Sequence, residues 1–260
     1  MKRILSVLAV SFGIIMPSMV WAAPVGSTPD TRPATPQERK QWQNQGVNLQ
    51  LSGSFLKGNI QLINAFSSAS YQLKLGDHQL FFDLGNLFVQ SEDKILANRL
   101  NGSALYGYDL NRYFNLYGYS SHSRDESINL NYRMTHGIGI SLHELFPDLF
   151  QLGLLSVGMA AEKEWFKGDL SPFALRATLR GAFHIPLTES LVLGLDGSYT
   201  PAITDFSDYR LYGEAFLKLK LNESIAFKIS LADELDSRPQ TGVQSNDLGV
   251  FGALSIGFGH

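Results

Sequence analysis

The sequence has no cysteine among its 260 residues, and only 17% of them carry a charge. Without cysteine, the chain has no disulfide, no thiolate metal ligand and no thiol nucleophile. The formal net charge of -3 gives no electrostatic sign of a nucleic-acid partner. In contrast, 44% of the residues are apolar, 12% are aromatic and 24 are glycine. The composition therefore indicates an apolar, glycine-rich protein without thiol chemistry.

Long apolar runs are also missing after residue 23. Residues 1–22 combine a basic start at Lys2 and Arg3 with an apolar stretch and small residues, which predicts a signal peptide cleaved after Ala22. A retained membrane anchor is the alternative. No later segment approaches the roughly 18 uninterrupted apolar residues of a membrane-spanning helix. A mature chain that spans a membrane must therefore do so as a closed barrel.

Residues 23–46 form a polar segment with four prolines, Pro24, Pro29, Pro33 and Pro36. This composition predicts a periplasmic leader that is largely disordered. Residues 35–38 resemble a capping box with proline at the first helical position. A short helix through Trp42 is therefore the alternative for part of the leader.

From Val47 to Phe258 apolar and polar residues alternate. In residues 128–142, seven of the eight even positions are apolar or aromatic, and no odd position is. This period of two predicts β-strands, and it persists for about twice a usual strand length. Similar alternation defines twelve segments, at residues 47–56, 59–75, 78–90, 99–110, 113–124, 126–143, 150–165, 170–185, 191–200, 209–221, 225–234 and 247–258.

The connections and segment lengths favour a membrane barrel over a soluble sandwich. The connections after segments 2, 4, 6, 8 and 10 are compact, and those after segments 3, 7, 9 and 11 are predicted to be longer, as in outer-membrane barrels. A sandwich also alternates, but its exposed face normally carries charged residues and its strands are shorter. We therefore predict an all-β protein, a twelve-stranded antiparallel transmembrane β-barrel of the outer-membrane type over residues 47–258. An even strand count places both termini on the periplasmic, short-turn side.

A set of short motifs is similar to those of one known family. The motifs are Arg112-Tyr113-Phe114-Asn115-Leu116-Tyr117-Gly118, Asp125, Asn131-Tyr132-Arg133, Gly137-Ile138-Gly139, Leu152-Gly153-Leu154, Gly158, Glu162, Arg238-Pro239, Asp247 and a strand closing in Phe258. They resemble the domain-of-unknown-function family 481, often called salt-induced outer membrane proteins, over residues 47–258. The resemblance implies an outer-membrane β-barrel and transfers no catalytic residue. Gly259 and His260 follow Phe258, the aromatic residue that we take as the end of the assembly signal.

Charged residues on the polar face are expected to point into the lumen, because an Arg or Lys facing lipid at mid-bilayer costs roughly 2–4 kcal/mol. The predicted set is Asp109, Arg133, Arg176, Arg180, Asp196, Glu214, Lys218, Lys220 and Lys228. One interpretation is a structural ion-pair network that fills a narrow barrel. The other is a polar conduit for a small anion, favoured by the Arg and Lys residues of segments 8, 10 and 11. Twelve strands lie between filled eight-strand barrels and open sixteen-strand porins, so the strand number does not decide between the two interpretations.

Three further patterns involve reactive side chains. Ser120 and His122 share one face of a strand, and a Ser/His pair with a polar partner is the layout of nucleophilic catalysis. A plain polar strand end is the favoured interpretation of the same residues. His136 lies on the apolar face, where packing is expected. Glu162 and Glu164 could bind a cation, but the loop that follows them favours a solvated strand end.

Aromatic residues are predicted to form girdles at the two water–lipid boundaries. They are Tyr106, Tyr108, Tyr113, Tyr117, Tyr119, Trp165 and Phe166. A carbohydrate-stacking platform is the alternative for the same side chains.

The sequence as a whole predicts a barrel in the outer membrane of a Gram-negative bacterium. Its expected role is envelope integrity or passage of a small polar solute, an anion being one option, without catalysis, cofactor or metal. The expected partners are outer-membrane lipid, lipopolysaccharide and the barrel assembly machinery, with no nucleic acid. The alternatives are a hydrolase of lipid or lipopolysaccharide and a structural barrel that docks a partner through its outer loops.

Overall fold

Twelve antiparallel β-strands close into a barrel, which confirms the predicted fold class. The structure is a computed structural model that describes residues 45–56, 62–91, 94–150, 152–168, 173–240 and 243–259. The predicted signal peptide, most of the leader and its short helix lie outside these residues. The strands are β1 (Gln45–Leu56), β2 (Leu62–Leu75), β3 (His78–Ser91), β4 (Lys94–Asp109), β5 (Phe114–Asp125), β6 (Leu130–Leu142), β7 (Leu152–Phe166), β8 (Ala174–Pro186), β9 (Leu191–Ala202), β10 (Asp205–Lys220), β11 (Ile225–Asp236) and β12 (Asn246–Gly259).

Each strand pairs with its neighbours along the chain, and the first strand pairs with the last. In the closing ladder, Val47 of β1 lies opposite Phe258 of β12, and Leu51 lies opposite Leu254. The closing ladder joins residues 46–51 to residues 254–259, so the wall is a closed barrel whose backbone hydrogen bonds are made between strands. No helix in the described part of the chain is long and apolar enough to cross a membrane.

The alternation of side chains separates an apolar outer surface from a mixed interior, as strand geometry requires. On β10, Leu217 is 45% exposed on the outer surface, whereas its neighbour Phe216 is 4% exposed and points inward. The same contrast holds on β7, where Val157 is exposed and Leu154 is buried. An exposed apolar outer band around a closed wall is the surface of a barrel that contacts lipid.

The strand β6 begins later than the sequence period indicates. Residues 126–129 form a turn in which Asn129 has a φ of 55°. The register between β6 and β7 then shifts between Leu130 and Tyr132. Leu130 is consequently buried inside the barrel, with 2% of its surface exposed, although the alternation placed it on the outer face with the other even residues.

The connections define two ends of the barrel. The terminal end is where β1 begins and β12 ends, and the loop end is the opposite one. The predicted long connections after the third and ninth strands are wrong, because β4 and β10 start earlier than expected and leave only residues 92–93 and 203–204 between strands. The connections of residues 167–173 and 237–245, after β7 and β11, are longer, and both lie at the loop end. The connection after β6, predicted to be compact, is also long: it spans residues 143–151 and lies at the terminal end.

Candidate functional site

The nine charged residues predicted to line the lumen all lie at inward-facing positions of their strands. They are Asp109 on β4, Arg133 on β6, Arg176 and Arg180 on β8, Asp196 on β9, Glu214, Lys218 and Lys220 on β10, and Lys228 on β11. Arg176 and Asp196 are 5% and 8% exposed, whereas Lys220 is exposed at the last residue of its strand. The structure places six of them in three groups, at the loop end (Arg133 and Arg176), mid-barrel (Asp196, Glu214 and Lys228) and the terminal end (Asp109). Arg180, Lys218 and Lys220 lie on the same inward faces of β8 and β10.

The group at the loop end is built around two arginines and a buried glutamate. Arg176 Nε lies 2.8 Å from Glu162 Oε1, and Arg210 Nη1 lies 2.8 Å from Glu162 Oε2. Arg176 also reaches Asp208 Oδ1 at 3.1 Å, and Arg210 reaches Asp236 Oδ2 at 3.1 Å. Charge-assisted bonds of this kind are the strongest that side chains make, so the group is a rigid link between β7, β8, β10 and β11.

The same group extends to a second glutamate on β7. Glu164 accepts hydrogen bonds from Arg210 Nη2 at 2.9 Å and from Arg133 Nε at 2.5 Å. Glu162 and Glu164 are only 5% and 8% exposed. Their interpretation as a solvated strand end is therefore wrong. Each carboxylate instead balances the guanidinium groups that surround it.

A third arginine extends the network across the lumen. Arg99 on β4 binds Asp125 on the adjacent strand β5, with 2.5 Å between Nε and Oδ2. Its Nη1 also lies 3.3 Å from Glu234 Oε2 on β11, a strand that is not a neighbour of β4 in the barrel. The contact between these two side chains spans the interior instead of following the wall. Arg210 likewise reaches from β10 to β7, past β8 and β9.

Sequence reasoning did not select Arg99, Glu162, Glu164 and Arg210 as lumen residues. A signal for Arg210 was available, because it shares the inward register of Glu214 on the same strand. Arg99 falls at the first residue of its predicted segment, where alternation is weakest. The partner of each arginine could not be predicted, because pairs across a lumen leave no pattern in one strand.

A cavity of about 260 Å³ lies at the loop end, directly above this network. Arg99, Arg176 and Arg210 form part of its lining, and Pro239 and Gln240 contribute from the connection between β11 and β12. Both guanidinium and carboxylate groups line the cavity. The cavity is therefore a mixed-charge vestibule whose lining includes residues of the network.

Mid-barrel, charged and aromatic side chains pack against each other. Lys228 Nζ lies 2.7 Å from Glu214 Oε1 and 4.3 Å from the ring centre of Phe216. The Phe216 ring meets the edge of His184, whose Nε2 lies 3.4 Å from Asp196 Oδ1. These contacts fill the space between β8 and β11 with side chains.

Two tyrosines fill another part of the interior. Tyr117 and Tyr119 of β5 stack with ring centres 6.4 Å apart. A Cβ at Gly139 would collide with the Tyr117 ring, and one at Gly137 with the Tyr119 ring. Glycine at these two positions of β6 therefore leaves the space that each tyrosine ring occupies. The girdle prediction is wrong for these two tyrosines, which point into the lumen.

The terminal end holds a cluster of hydrogen bonds around Asp109, formed with one lysine and two amide side chains. Its carboxylate accepts hydrogen bonds from Lys74 Nζ at 3.0 Å, from Gln79 Nε2 at 2.8 Å and from Asn115 Nδ2 at 2.9 Å. Gln79 and Asn115 are 2% and 1% exposed. These residues lie on four successive strands, so the cluster ties the wall together at this end.

The predicted Ser120 and His122 lie on the outer surface of β5, not in the lumen. Ser120 Oγ is 2.9 Å from His122 Nε2, and His122 Nδ1 is 2.5 Å from the Tyr132 hydroxyl on β6. The ring of His136 meets that of His122 edge-on, with centres 5.9 Å apart. The structure therefore adds to the Ser/His pair a polar third member that the sequence did not identify.

Aromatic side chains remain at both ends of the outer surface. Tyr106, Tyr108 and Tyr113 are exposed near the terminal end. At the loop end, the rings of Tyr132 and Trp165 lie 5.4 Å apart. Among the described residues, no group of three or more His, Asp or Glu side chains could hold a metal ion.

Comparison with solved structures finds barrels of similar architecture. The translocator domain of the autotransporter NalP from Neisseria meningitidis superposes with a TM-score of 0.47 at 13% identity, covering 84% of this chain and 88% of that one. The NanC porin has a TM-score of 0.48 at 11% identity, covering 81% and 97%. The KdgM porin has a TM-score of 0.47 at 12% identity, covering 82% and 99%. At such scores the likeness does not bear on what this chain binds or transports.

No curated protein matches the sequence. One family profile does match, over residues 49–258, which is most of the chain and nearly the whole barrel. The match confirms the resemblance inferred from the motifs. The chain therefore belongs to the family described as protein of unknown function, DUF481.

Proposed function

We propose that the protein is an outer-membrane barrel that maintains the envelope as a closed structural element, with its lumen filled by side chains. The observation that carries this proposal is the arginine–carboxylate network at the loop end, in which Arg99 and Glu234 meet across the interior at 3.3 Å. A wide aqueous channel would separate such residues with water. Their direct contact supports a lumen that is closed at this level.

Burial along the interior supports the same function. Leu154 near the terminal end, Ala182 on β8 and Leu87 on β3 all point inward and are at most 2% exposed. Side chains that line a water-filled pore would be hydrated. Inward-facing residues with almost no accessible surface support a packed core, as expected of narrow barrels.

The outer surface supports placement in the outer membrane. Its exposed leucines form the apolar band that lipid requires, and exposed aromatic residues lie near both ends. The terminal end faces the periplasm in this proposal, and the loop end faces outward. Lipid and lipopolysaccharide are then the molecules that contact the wall, and the barrel assembly machinery would insert it.

The proposal is tested by deleting the gene in its host and measuring entry of a hydrophobic fluorescent dye. Loss of an envelope-supporting barrel should raise dye uptake, and expression of the wild-type chain should restore the barrier. Fractionation of the same cells should place the protein with outer-membrane lipid. Unchanged uptake in the deletion strain, or recovery of the folded chain in the periplasm, would contradict the proposal.

Passage of a small polar solute is the second candidate, and the mixed-charge vestibule of about 260 Å³ is the observation that favours it. The cavity offers both guanidinium and carboxylate groups at the outer mouth. The preference for an anion has less support, since Arg133, Arg176 and Lys228 are each paired with a carboxylate. Liposome swelling in a small sugar or amino acid would separate this candidate from the closed barrel.

A further inference from the structure

A serine, a histidine and a tyrosine form a hydrogen-bonded chain on the outer surface of the barrel. Ser120 Oγ contacts His122 Nε2 at 2.9 Å, and the other ring nitrogen, Nδ1, contacts the Tyr132 hydroxyl at 2.5 Å. In the tautomer that carries the proton on Nδ1, this N–H donates a hydrogen bond to the Tyr132 hydroxyl oxygen. The unprotonated Nε2 can then accept the proton of the serine hydroxyl. A nucleophile, a base and a group that orients the base are then present in the order that covalent catalysis uses.

The hydrogen-bonded chain runs from the loop end of the outer surface, where Tyr132 lies, to Ser120 near the middle of β5. Tyr132 stacks beside Trp165, and this aromatic pair is at the loop end of the outer surface. Such residues reside at the boundary between headgroups and acyl chains. His122 is three residues from the end of β5 and stacks on Tyr132, with ring centres 5.8 Å apart, so it shares that depth. Water from the headgroup layer can also reach this boundary.

A shallow apolar groove leads along the outer surface to the same residues. Its volume is about 460 Å³, and Ser120 and His122 form one side of it. The remaining outward-facing lining includes Phe82, Leu84 and Ala104, from β3 and β4. The groove crosses several strands and has no charged side chain on its outward face. An acyl chain is the occupant that its lining fits, because this surface already contacts lipid.

We propose that this outer-surface site hydrolyses a carboxylic ester of membrane phospholipid, with Ser120 as nucleophile and His122 as general base. This activity goes beyond the structural role proposed above and rests on it only for the membrane placement. Tyr132 is a positioning residue, because it contacts His122 and not the reacting ester. A groove of this size accommodates an acyl chain of a phospholipid, whereas lipopolysaccharide carries several chains on one headgroup.

The reaction would proceed through an acyl-enzyme. Ser120 Oγ forms a bond to the ester carbonyl carbon while its proton passes to His122 Nε2. The bond between that carbon and the glycerol oxygen then breaks, and His122 gives the proton to this departing oxygen, which becomes a hydroxyl of the lysophospholipid. Water attacks the acylated serine with His122 again as base, releasing the fatty acid and restoring Ser120. His136 lies opposite Ser120 in the β5–β6 register and is the side chain placed to stabilise the oxyanion.

The test uses the full chain folded in detergent micelles and a long-chain fluorophosphonate that labels active serines. Wild type should be labelled, and Ser120→Ala should lose the label. Ser121→Ala is the matched control, because Ser121 is the next residue on the same strand but points inward and is 7% exposed. It should be labelled like wild type. His122→Ala should slow labelling by about 10²-fold or more, as expected for loss of a general base.

Tyr132→Phe distinguishes positioning from a structural role. It keeps the ring and removes only the hydroxyl that contacts His122. We expect the labelling rate to fall and its dependence on pH to shift, while the fraction of folded protein stays unchanged. A Tyr132→Phe variant with wild-type rate and pH profile would remove Tyr132 from the proposal.

The substrate is tested with phosphatidylethanolamine vesicles and, separately, with purified lipopolysaccharide, by measuring released fatty acid. Release from the phospholipid that is lost in Ser120→Ala supports the proposal. Release from lipopolysaccharide alone would overturn the substrate assignment. No label and no release from folded wild type would overturn the activity, and would leave the closed-lumen proposal intact because labelling in micelles does not depend on it.

Discussion

Arg99 and Glu234 lie on strands that are not adjacent in the barrel, yet their side chains meet at 3.3 Å. The contact joins β4 to β11 through the interior, and Arg210 makes a comparable link from β10 to β7. Buried ion pairs must offset the cost of removing both charges from water. Here several carboxylates share each arginine, so the network links strands that are not adjacent at the loop end of the barrel.

Replacement of Arg210 should strongly destabilise the barrel. Arg210→Met removes the partner of Glu162, Glu164 and Asp236 and leaves buried carboxylates without it. Breaking a buried ion pair in this way costs about 3–5 kcal/mol. Unfolding by urea in detergent, followed by tryptophan fluorescence, should show a lower midpoint than wild type.

The matched control for this substitution is Arg238→Met. Arg238 also pairs with a carboxylate, Asp205, but its side chain is 55% exposed. Exposed pairs of this kind contribute little, so the midpoint should stay at the wild-type value. An equal decrease of the urea midpoint in Arg210→Met and Arg238→Met would mean that the interior network does not stabilise the barrel as we propose.

A charge on the outer surface should be tolerated far less than one in the lumen. Leu217 is 45% exposed on the outer face, and Lys218 is its inward neighbour. Leu217→Arg should cost roughly 2–4 kcal/mol if the residue lies near mid-bilayer, whereas Lys218→Arg keeps the existing charge. We expect the folded fraction after refolding into lipid vesicles to fall for the first variant only. Equal tolerance would mean that the register of β10 is shifted by one residue.

A glycine in the interior should be sensitive to a single methyl group. A Cβ at Gly194 would collide with the ring of Phe216, which also contacts His184 and Lys228. Overpacking of this kind costs about 1–3 kcal/mol. Gly213→Ala is the control, because nothing lies within 4 Å of its Cβ position. The midpoint of urea unfolding should fall for Gly194→Ala and stay at the wild-type value for Gly213→Ala. An unchanged midpoint for Gly194→Ala would show that the Phe216 ring can move away.

The strands and their faces could be predicted from the sequence because alternation is a local property of each strand. Leu217 and Lys218 were assigned to the correct faces in this way. The register shift between Leu130 and Tyr132 could not be predicted from the sequence, because a register irregularity depends on the partner strand. The strand β10 also begins four residues earlier than predicted, because its first residues, such as Asp205 and Asp208, are polar and resemble a loop.

The candidate site was less predictable than the wall. Glu162 and Glu164 look like solvent-exposed acids from their own strand, because the arginines of β6, β8 and β10 that pair with them are distant in sequence. The Ser120–His122 pair could be found because both residues lie on one strand. Tyr132, which completes it, is ten residues farther along the chain and meets His122 only after β5 and β6 pair.

Closure of the barrel should make the protein resistant to detergent. All strands pair with two neighbours, including β1 with β12. The backbone hydrogen bonds of a closed wall are made between strands and resist detergent, so the unheated protein should migrate on a gel in sodium dodecyl sulfate at a different position from the boiled protein. Circular dichroism of the unheated sample serves as the control for folding. Identical migration of a folded and a boiled sample would contradict a closed barrel.

Conductance of the refolded wild-type protein across a planar lipid bilayer tests the closed lumen most directly. The contact of Arg99 with Glu234 and the buried interior below it predict no conductance steps above the bare bilayer, in samples shown to be folded by their gel migration. An open porin inserted in the same way serves as the positive control. Stable, ion-selective steps from folded wild-type protein would contradict the account and show that water and ions pass the network.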